Sequence, residues 1–342
     1  MPWPTATIKT SHGPRKALAP SVISASRRTD IPACYPEWFI QRVLAGWLAW
    51  RNPYNRTSQY ISLQNLRAAV FWSKNPQPML PMLRELHQAP FGFYVQFTLN
   101  DYQAEGLEPG LPSLEKRVET FKALSRAIGA ERVIWRFDPL LLVRGIEPGD
   151  LLGRIEWLAR TLSGYTKKLV FSFAEIDGYA RVRRNMNAAG CSWRNFSRQE
   201  MVQTAAALRA LANRHGLDLA ACAQSVDLSL LGVPRNACID PDLLRMVAGP
   251  WRGNPSTGSW HTLPGLYPEQ QLPRGKDPGQ RKHCGCAPSK DIGQYDTCPH
   301  GCLYCYANVS PASAQARAAQ VRADDECLLP DDVANRTADD QA

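Results

Sequence analysis

Between Ser21 and Asp240 the chain alternates short apolar runs with helical patterns about six times. That alternation restricts the fold more than any other property of the sequence. The apolar runs are Ser21–Ser26, Ala68–Trp72, Phe91–Leu99, Arg132–Phe137, Lys168–Phe173 and Leu217–Cys222. They are rich in Val, Ile, Phe and Trp and show little polar alternation, as expected of strands buried on both faces and joined by helical crossovers. Helix signals fill the gaps. Pro36 opens a pattern through Trp38, Phe39, Val43, Leu44, Trp47 and Leu48; Ser113 caps a run that ends at Gly129; Asp150 caps Leu151–Leu162; Ser197 and Glu200 form a capping box for a run to Gly216; Asp240-Pro241 opens a short helix. The expected fold is α/β: a (β/α) barrel or partial TIM-like barrel of about six parallel strands, with a C-terminal iron–sulfur segment. No Gly-x-Gly-x-x-Gly string follows the first strand and no Walker-type loop is present, which argues against dinucleotide and P-loop folds.

The same reading divides the chain. Residues 1–20, with mixed polarity and four prolines, read as a flexible arm. Residues 21–248 form the barrel core and 249–282 an irregular loop. Residues 283–308 make a cysteine segment packed on the barrel mouth. Residues 309–342 give a short helix and a disordered acidic tail. No apolar run approaches the roughly 18 residues of a membrane helix, and the first twenty residues lack a signal-peptide core, so a cytoplasmic protein with no membrane partner is expected. Residues 317–342 carry three arginines against seven acidic groups. The preceding 316 residues therefore hold the basic excess, 37 cations against 24 anions. Such a body suits an anionic partner, although a generic basic surface has the same composition.

Five of the ten cysteines fall between 284 and 305. In a reducing compartment a cluster of this kind points to a metal rather than to disulfides. Cys298, Cys302 and Cys305 have the spacing C-x3-C-x2-C, which fits one tight loop, with Gly301 allowing the backbone to wrap closely. Iron–sulfur clusters usually take four thiolates, so three leave one iron open to a substrate or cofactor. The alternative is structural zinc, whose four-cysteine sites more often show two C-x2-C pairs. Cys222, Cys238, Cys284 and Cys286 are candidates for a second metal site, or else small buried apolar groups. Cys34, Cys191 and Cys327 have no partner by spacing.

The run CPHGCLYCYA, residues 298–307, resembles the signature of radical S-adenosylmethionine (SAM) enzymes, especially the form in spore photoproduct lyase and its relatives. With SASRRTDIP, FWSKNP, QFTLN, RFDPLL and DIGQYDTCPHGCLYCYAN, the chain also resembles, over roughly residues 21–308, an uncharacterised bacterial family that ends in such a cluster. The resemblance implies a [4Fe–4S] cluster on Cys298, Cys302 and Cys305, with Tyr304 beside it and SAM on the open iron. It also implies a 5′-deoxyadenosyl radical, an electron from a flavodoxin or ferredoxin, and a substrate that is a nucleic acid or nucleotide. Two features depart from the radical SAM pattern. No Gly-Gly-Glu string is present, and the cysteine loop follows about six βα units instead of the first strand. Circular permutation accounts for the second, with His283–Cys286 as the strand leading into the loop. The competing reading is an iron–sulfur or zinc module, a redox sensor or nucleic-acid-binding protein, without SAM chemistry.

Polar residues crowd the ends of the strand-like runs. Arg28, Asp30, Lys74, Asn75, Gln96, Arg136 and Asp138 are the expected cofactor-binding set, joined by Tyr304 from the cysteine loop. On a parallel barrel they converge on one mouth. Arg28 or Lys74 suits a carboxylate or phosphate, and Asp30 or Asp138 a ribose hydroxyl or an amine. The plainer reading is that neighbouring Arg and Asp satisfy each other. Trp72, Trp135, Phe137 and Tyr179 are candidates for stacking on a base, or for core. His300 is a ligand candidate or a solvated loop residue.

Overall fold

The computed structural model describes residues 3–53, 55–248, 251–254, 259–262 and 272–329. Along the chain come β1 (Thr5–Thr10), β2 (Gly13–Leu18), β3 (Val22–Ala25), α1 (Ile31–Cys34), α2 (Pro36–Ala45), β4 (Trp47–Arg51), β5 (Ser58–Ser62) and β6 (Ala68–Ser73). Next are α3 (Leu83–Gln88), β7 (Gly92–Thr98), α4 (Leu114–Ile128), β8 (Val133–Leu140), β9 (Leu142–Val143), α5 (Pro148–Thr161) and β10 (Lys168–Phe173). Then α6 (Ala180–Ala188), β11 (Trp193–Arg194), α7 (Arg198–Arg214), β12 (Asp218–Ala221), α8 (Pro241–Val247), β13 (Trp251–Asn254), β14 (Ser259–Thr262), β15 (Lys290–Asp291) and α9 (Pro311–Ala318) complete the chain.

The central sheet has seven strands in the order β15-β3-β6-β7-β8-β10-β12, and every pairing in it is parallel. From β3 to β12 the order follows the sequence and never reverses. Right-handed crossovers then place successive helices on one face. Outward residues such as Phe71, Phe97, Trp135 and Phe171 are fully buried in the large core cluster on that face. Inward residues Val22, Val70, Tyr94, Ile134 and Val170 belong to a separate cluster with Ile239, Leu244, Val247, Cys286 and Ala287. The concave face is therefore filled by chain segments from the C-terminal third, in the manner of a partial barrel. Among the described residues β12 and β15 are not paired to each other, so the sheet stays open.

The strand leading to the cysteine loop is Lys290–Asp291, and the expected strand at His283–Cys286 is not formed. Those residues instead pack against the concave face, with Cys286 and Ala287 fully buried. The strand before the cysteine loop nevertheless follows β12 in sequence and lies beside β3, pairing with it in parallel as Lys290↔Ile23 and Asp291↔Ser24.

Residues 5–18, expected as a loose arm, form an antiparallel hairpin within a second sheet ordered β1-β2-β5-β4. Thr and Ile favour the extended chain, and Gly13 takes the positive φ of 92° that the turn needs. Helix α2 stops at Gly46 with φ 75°, which moves Trp47 and Leu48 into β4. Residues 251–254 pair with 259–262 inside the expected linker. The acidic segment is docked as far as it is described: Trp38 Nε1 donates to Asp325 O at 2.8 Å, and Ala49 N to Glu326 O at 2.8 Å. The rest of the expected tail, residues 330–342, lies outside the described residues. Among the described residues, no helix is long and apolar enough to cross a membrane.

Candidate metal centre

Asp291 fixes the direction in which the chain leaves β15. Its Oδ2 accepts from Ser24 Oγ at 2.8 Å and from Arg27 N at 3.0 Å, and its Oδ1 accepts from Gly293 N at 3.0 Å. Gly293 then passes so close to Ser26 that a Cβ there would overlap its hydroxyl. Gln294 N donates to Thr29 Oγ1 at 3.0 Å, and Tyr35 donates its hydroxyl to Thr297 O. The following loop is thereby laced to residues 24–35, the C-terminal end of β3. On its other side Gly110 N donates to His300 O at 2.9 Å, again at a point where a side chain would not fit.

This lacing brings Cys298, Cys302 and Cys305 to the C-terminal ends of the strands, the end that also carries Asp30, Lys74 and Asn100. Cys302 is buried and the other two are half-buried. Burial pushes the Cys302 thiol up, against the pull of Lys74, and pushes Cys305 up to about 11. Cys298 behaves differently. The neighbouring Cys34 thiol and His300 hold its own thiol down at about 6. Burial works against charge on His300, yet Cys298 and a 2.9 Å bond to Asp30 raise it to about 9. The ligand atoms of Cys34, Cys298 and His300 lie within 4.8 Å of one another and form a group able to hold a metal ion. Cys34 is the partner that spacing along the chain could not supply, because helix α1 delivers it from the far end of the sequence.

The expected cofactor-binding residues do gather at this mouth, mostly engaged with one another. Asp30 caps α1 through Ala33 N at 3.1 Å and accepts from Lys74 N at 2.7 Å. Lys74 pairs with Glu108 at 2.7 Å and donates to Tyr304 Oη at 2.8 Å. Tyr304 also donates to Glu108 and accepts from Asn100 Nδ2 at 3.0 Å. Arg136 pairs with Asp138 and donates to Gln96 Oε1 at 3.1 Å, while Asp138 accepts from Ser172. Arg28 faces Asp291 at 3.6 Å and stacks over Tyr295 at 4.9 Å. Asn75 N donates to Ser73 Oγ at 3.0 Å. Of the aromatic candidates, Trp135 and Phe137 are core, Trp72 lies under Arg27 at 4.9 Å, and Tyr179 is at the rim, 6.3 Å from Tyr306.

Cys222, Cys238, Cys284 and Cys286 also come together, on the concave face below this mouth. Cys222 Sγ is 3.6 Å from Cys238 Sγ. Cys286 Sγ accepts from Cys238 N at 3.2 Å and from Ile239 N at 3.4 Å, and its thiol is near enough to those of Cys238 and Cys284 to act on their charge. Interaction among the neighbouring thiols holds Cys284 down at about 6 and Cys238 well below its ordinary value, and pushes Cys222 and Cys286 up. Arg136 Nη1 reaches Cys238 Sγ at 3.0 Å.

Several members of the site carry no sequence signal of their own. Glu108 and Arg117 lie in a loop and a helix with ordinary polar patterns, yet they pair at 3.3 Å with side chains only 2% and 1% exposed. Arg281 donates to Tyr179 Oη at 3.3 Å, and Arg181 stacks over Tyr295 at 5.6 Å, so cations from distant segments edge the mouth. Asp291, by contrast, is marked by its place in DIGQYDTC, just before the cysteines.

Comparison with known proteins gives one match. A family profile described as Domain of unknown function (DUF1848) covers residues 22–307. No curated protein and no solved structure matches the chain.

Proposed function

The chain belongs to the DUF1848 family, a domain of unknown function, and we propose that it is a radical-SAM-like enzyme acting on a nucleic acid or nucleotide. The observation that carries this reading is the position of the C-x3-C-x2-C loop. It leaves β15, the immediate neighbour of β3, and lies over the C-terminal ends of a parallel sheet. In barrel enzymes, sites occupy that end. The residues present fit an iron–sulfur cluster in kind. Cys302 and Cys305 are thiols raised by burial, which a Lewis-acidic centre would deprotonate, and Ala307 N donates to Cys305 Sγ at 3.3 Å, as backbone amides do to bound thiolates. Cys298, Cys302 and Cys305 would hold a [4Fe–4S] cluster. When bound, the cluster with SAM supplies one-electron chemistry and a 5′-deoxyadenosyl radical.

The chain's own groups orient and shield. Lys74, Glu108 and Tyr304 form a rigid floor beside Cys302. Arg28, Arg181 and Arg281 give the rim a positive edge suited to phosphate. Electrons would come from a flavodoxin- or ferredoxin-type donor. A second reading rests on the convergence of Cys34, Cys298 and His300. In it these residues bind one zinc-like ion, and the protein is a binding module without SAM chemistry.

One assay separates the two. Anaerobically purified protein is expected to be brown, and with dithionite and SAM to release 5′-deoxyadenosine. The Cys298→Ala, Cys302→Ala, Cys305→Ala variant should release none. A colourless protein with a zinc that is lost in Cys298→Ala, or a brown protein inert toward SAM, selects the binding module. DNA or RNA affinity that falls steeply with salt supports the substrate class, and absent or salt-independent binding removes it.

A further inference from the structure

We infer that Cys222, Cys238, Cys284 and Cys286 form a second, separate metal centre: a tetrathiolate site for one thiophilic divalent ion of the zinc class. The inference does not depend on the radical SAM reading, because none of these residues belongs to the first loop. The four thiols arrive from three parts of the chain, the end of β12, the turn before α8, and the segment before β15. All are at most 8% exposed. Chance burial of small apolar groups does not gather four thiols in one cluster with backbone and side-chain N–H donors aimed at their sulfurs.

The surroundings are those of a ligand set. Two successive amides, Cys238 N and Ile239 N, donate to Cys286 Sγ at 3.2 and 3.4 Å. Asn236 Nδ2 donates to Cys238 Sγ at 3.2 Å, and Arg136 Nη1 at 3.0 Å. Donors of this kind stabilise thiolates around bound metals. Two nearby polar groups remain unsatisfied: Arg27 Nη2 and Asn236 Oδ1 are buried without a hydrogen-bond partner. Arg27 lies close enough to Cys286 and Cys238 for their charges to act on it.

Size and charge select the ion. With metal–sulfur bonds of about 2.3 Å, two thiolates on one tetrahedral ion lie about 3.8 Å apart. The Cys222–Cys238 separation is 3.6 Å, and the remaining sulfurs would draw in as the ion binds, since no three of the four lie within 4.8 Å of one another. A cubane cluster binds each cysteine to a different iron and spreads its thiolates further. A divalent ion with four thiolates carries two net negative charges, and the guanidiniums of Arg27 and Arg136, each shared with a carboxylate, Asp291 at 4.0 Å and Asp138, lie beside them.

Cobalt(II) is the probe. The full-length Cys298→Ala, Cys302→Ala, Cys305→Ala variant, stripped with chelator, should take up one equivalent. It should show the intense visible bands of tetrahedral thiolate cobalt, which zinc(II) then erases. Adding Cys238→Ser and Cys286→Ser should weaken uptake at least 100-fold, whereas adding Cys191→Ser should leave it unchanged. Cys222→Ser alone retains three sulfurs and should shift the bands while circular dichroism stays unchanged, which keeps the result readable if the double change unfolds the protein. The inference fails if the triple variant gives no thiolate–cobalt bands, if Cys222→Ser leaves them unmoved, or if the triple variant is isolated with an iron–sulfur spectrum. The SAM assay is run on the unaltered protein, so the two readings fail independently.

Discussion

Glu108 shows what a single buried charge does at this mouth. Burial opposes its ionisation, but Lys74 and Arg117 hold its carboxyl below the ordinary value of 4.5. Two cations therefore depend on one anion with almost no solvent to screen them. Glu108→Gln should destabilise the fold by about 3–5 kcal/mol, because it leaves buried charges uncompensated. A lowered urea midpoint would report this, and Lys74→Met in the same chain should restore part of it. The sign with pH follows from the depressed carboxyl. Its contribution is complete above pH 4.5 and is lost as pH falls through the folded value. The unaltered protein should thus lose midpoint on acidification over a range where Glu108→Gln loses less, and parallel curves would sink the account. Part of this scale was legible in sequence. Lys74, Asp138 and Tyr304 stand at strand ends or beside a cysteine and mark the mouth. Which ones pair was not legible, since Glu108 is fixed by a loop whose path no local pattern specifies.

Among the elements, the two-residue strand β15 has more consequence than its length suggests. Long elements announce themselves: the Ser197–Glu200 capping box and the Ser113 cap are both formed where the sequence places them. Two residues hold no periodicity, so β15 could not be read from a pattern, and the apolar-looking His283–Cys286 was the natural choice. Side-chain bonds set β15 in place instead, through Asp291 to Ser24 and Arg27. Gly293 carries the chain over Ser26, where a methyl group would overlap the hydroxyl. Gly293→Ala should therefore lift the loop off β3. Hydrogen exchange should show residues 290–309 losing protection by at least tenfold, while peptides from β7 and β8 keep theirs. Unchanged protection across 290–309 would mean that the loop is held by something other than this close approach.

At the scale of the whole molecule, the winding of the sheet settles how many independent parts the chain has. A strand order that never reverses leaves one face of the sheet without crossover helices. That face here carries Val22, Val70, Tyr94, Ile134 and Val170. The six βα units were readable from hydrophobic runs, and with them the α/β class and the parallel sheet. What covers the concave face was mostly not, because beyond the short α8, with Leu244 and Val247, its cover is irregular chain: Cys238 and Ile239 from one segment, Cys286 and Ala287 from another. Tyr94 Oη donates to Cys238 O at 2.6 Å and accepts from Asp240 N at 3.0 Å, which ties the cover to the sheet. Residues 284–287 are accordingly part of the core, while the C-x3-C-x2-C loop lies at the strand ends. A chain ended after Lys282 loses Cys284, Cys286, Ala287 and β15 together. It should bind hydrophobic dyes and melt without a cooperative transition, since a gap under the sheet removes contacts that close packing requires. If residues 283–342 were instead an appended unit, the shortened chain would melt cooperatively within a few degrees of the full one.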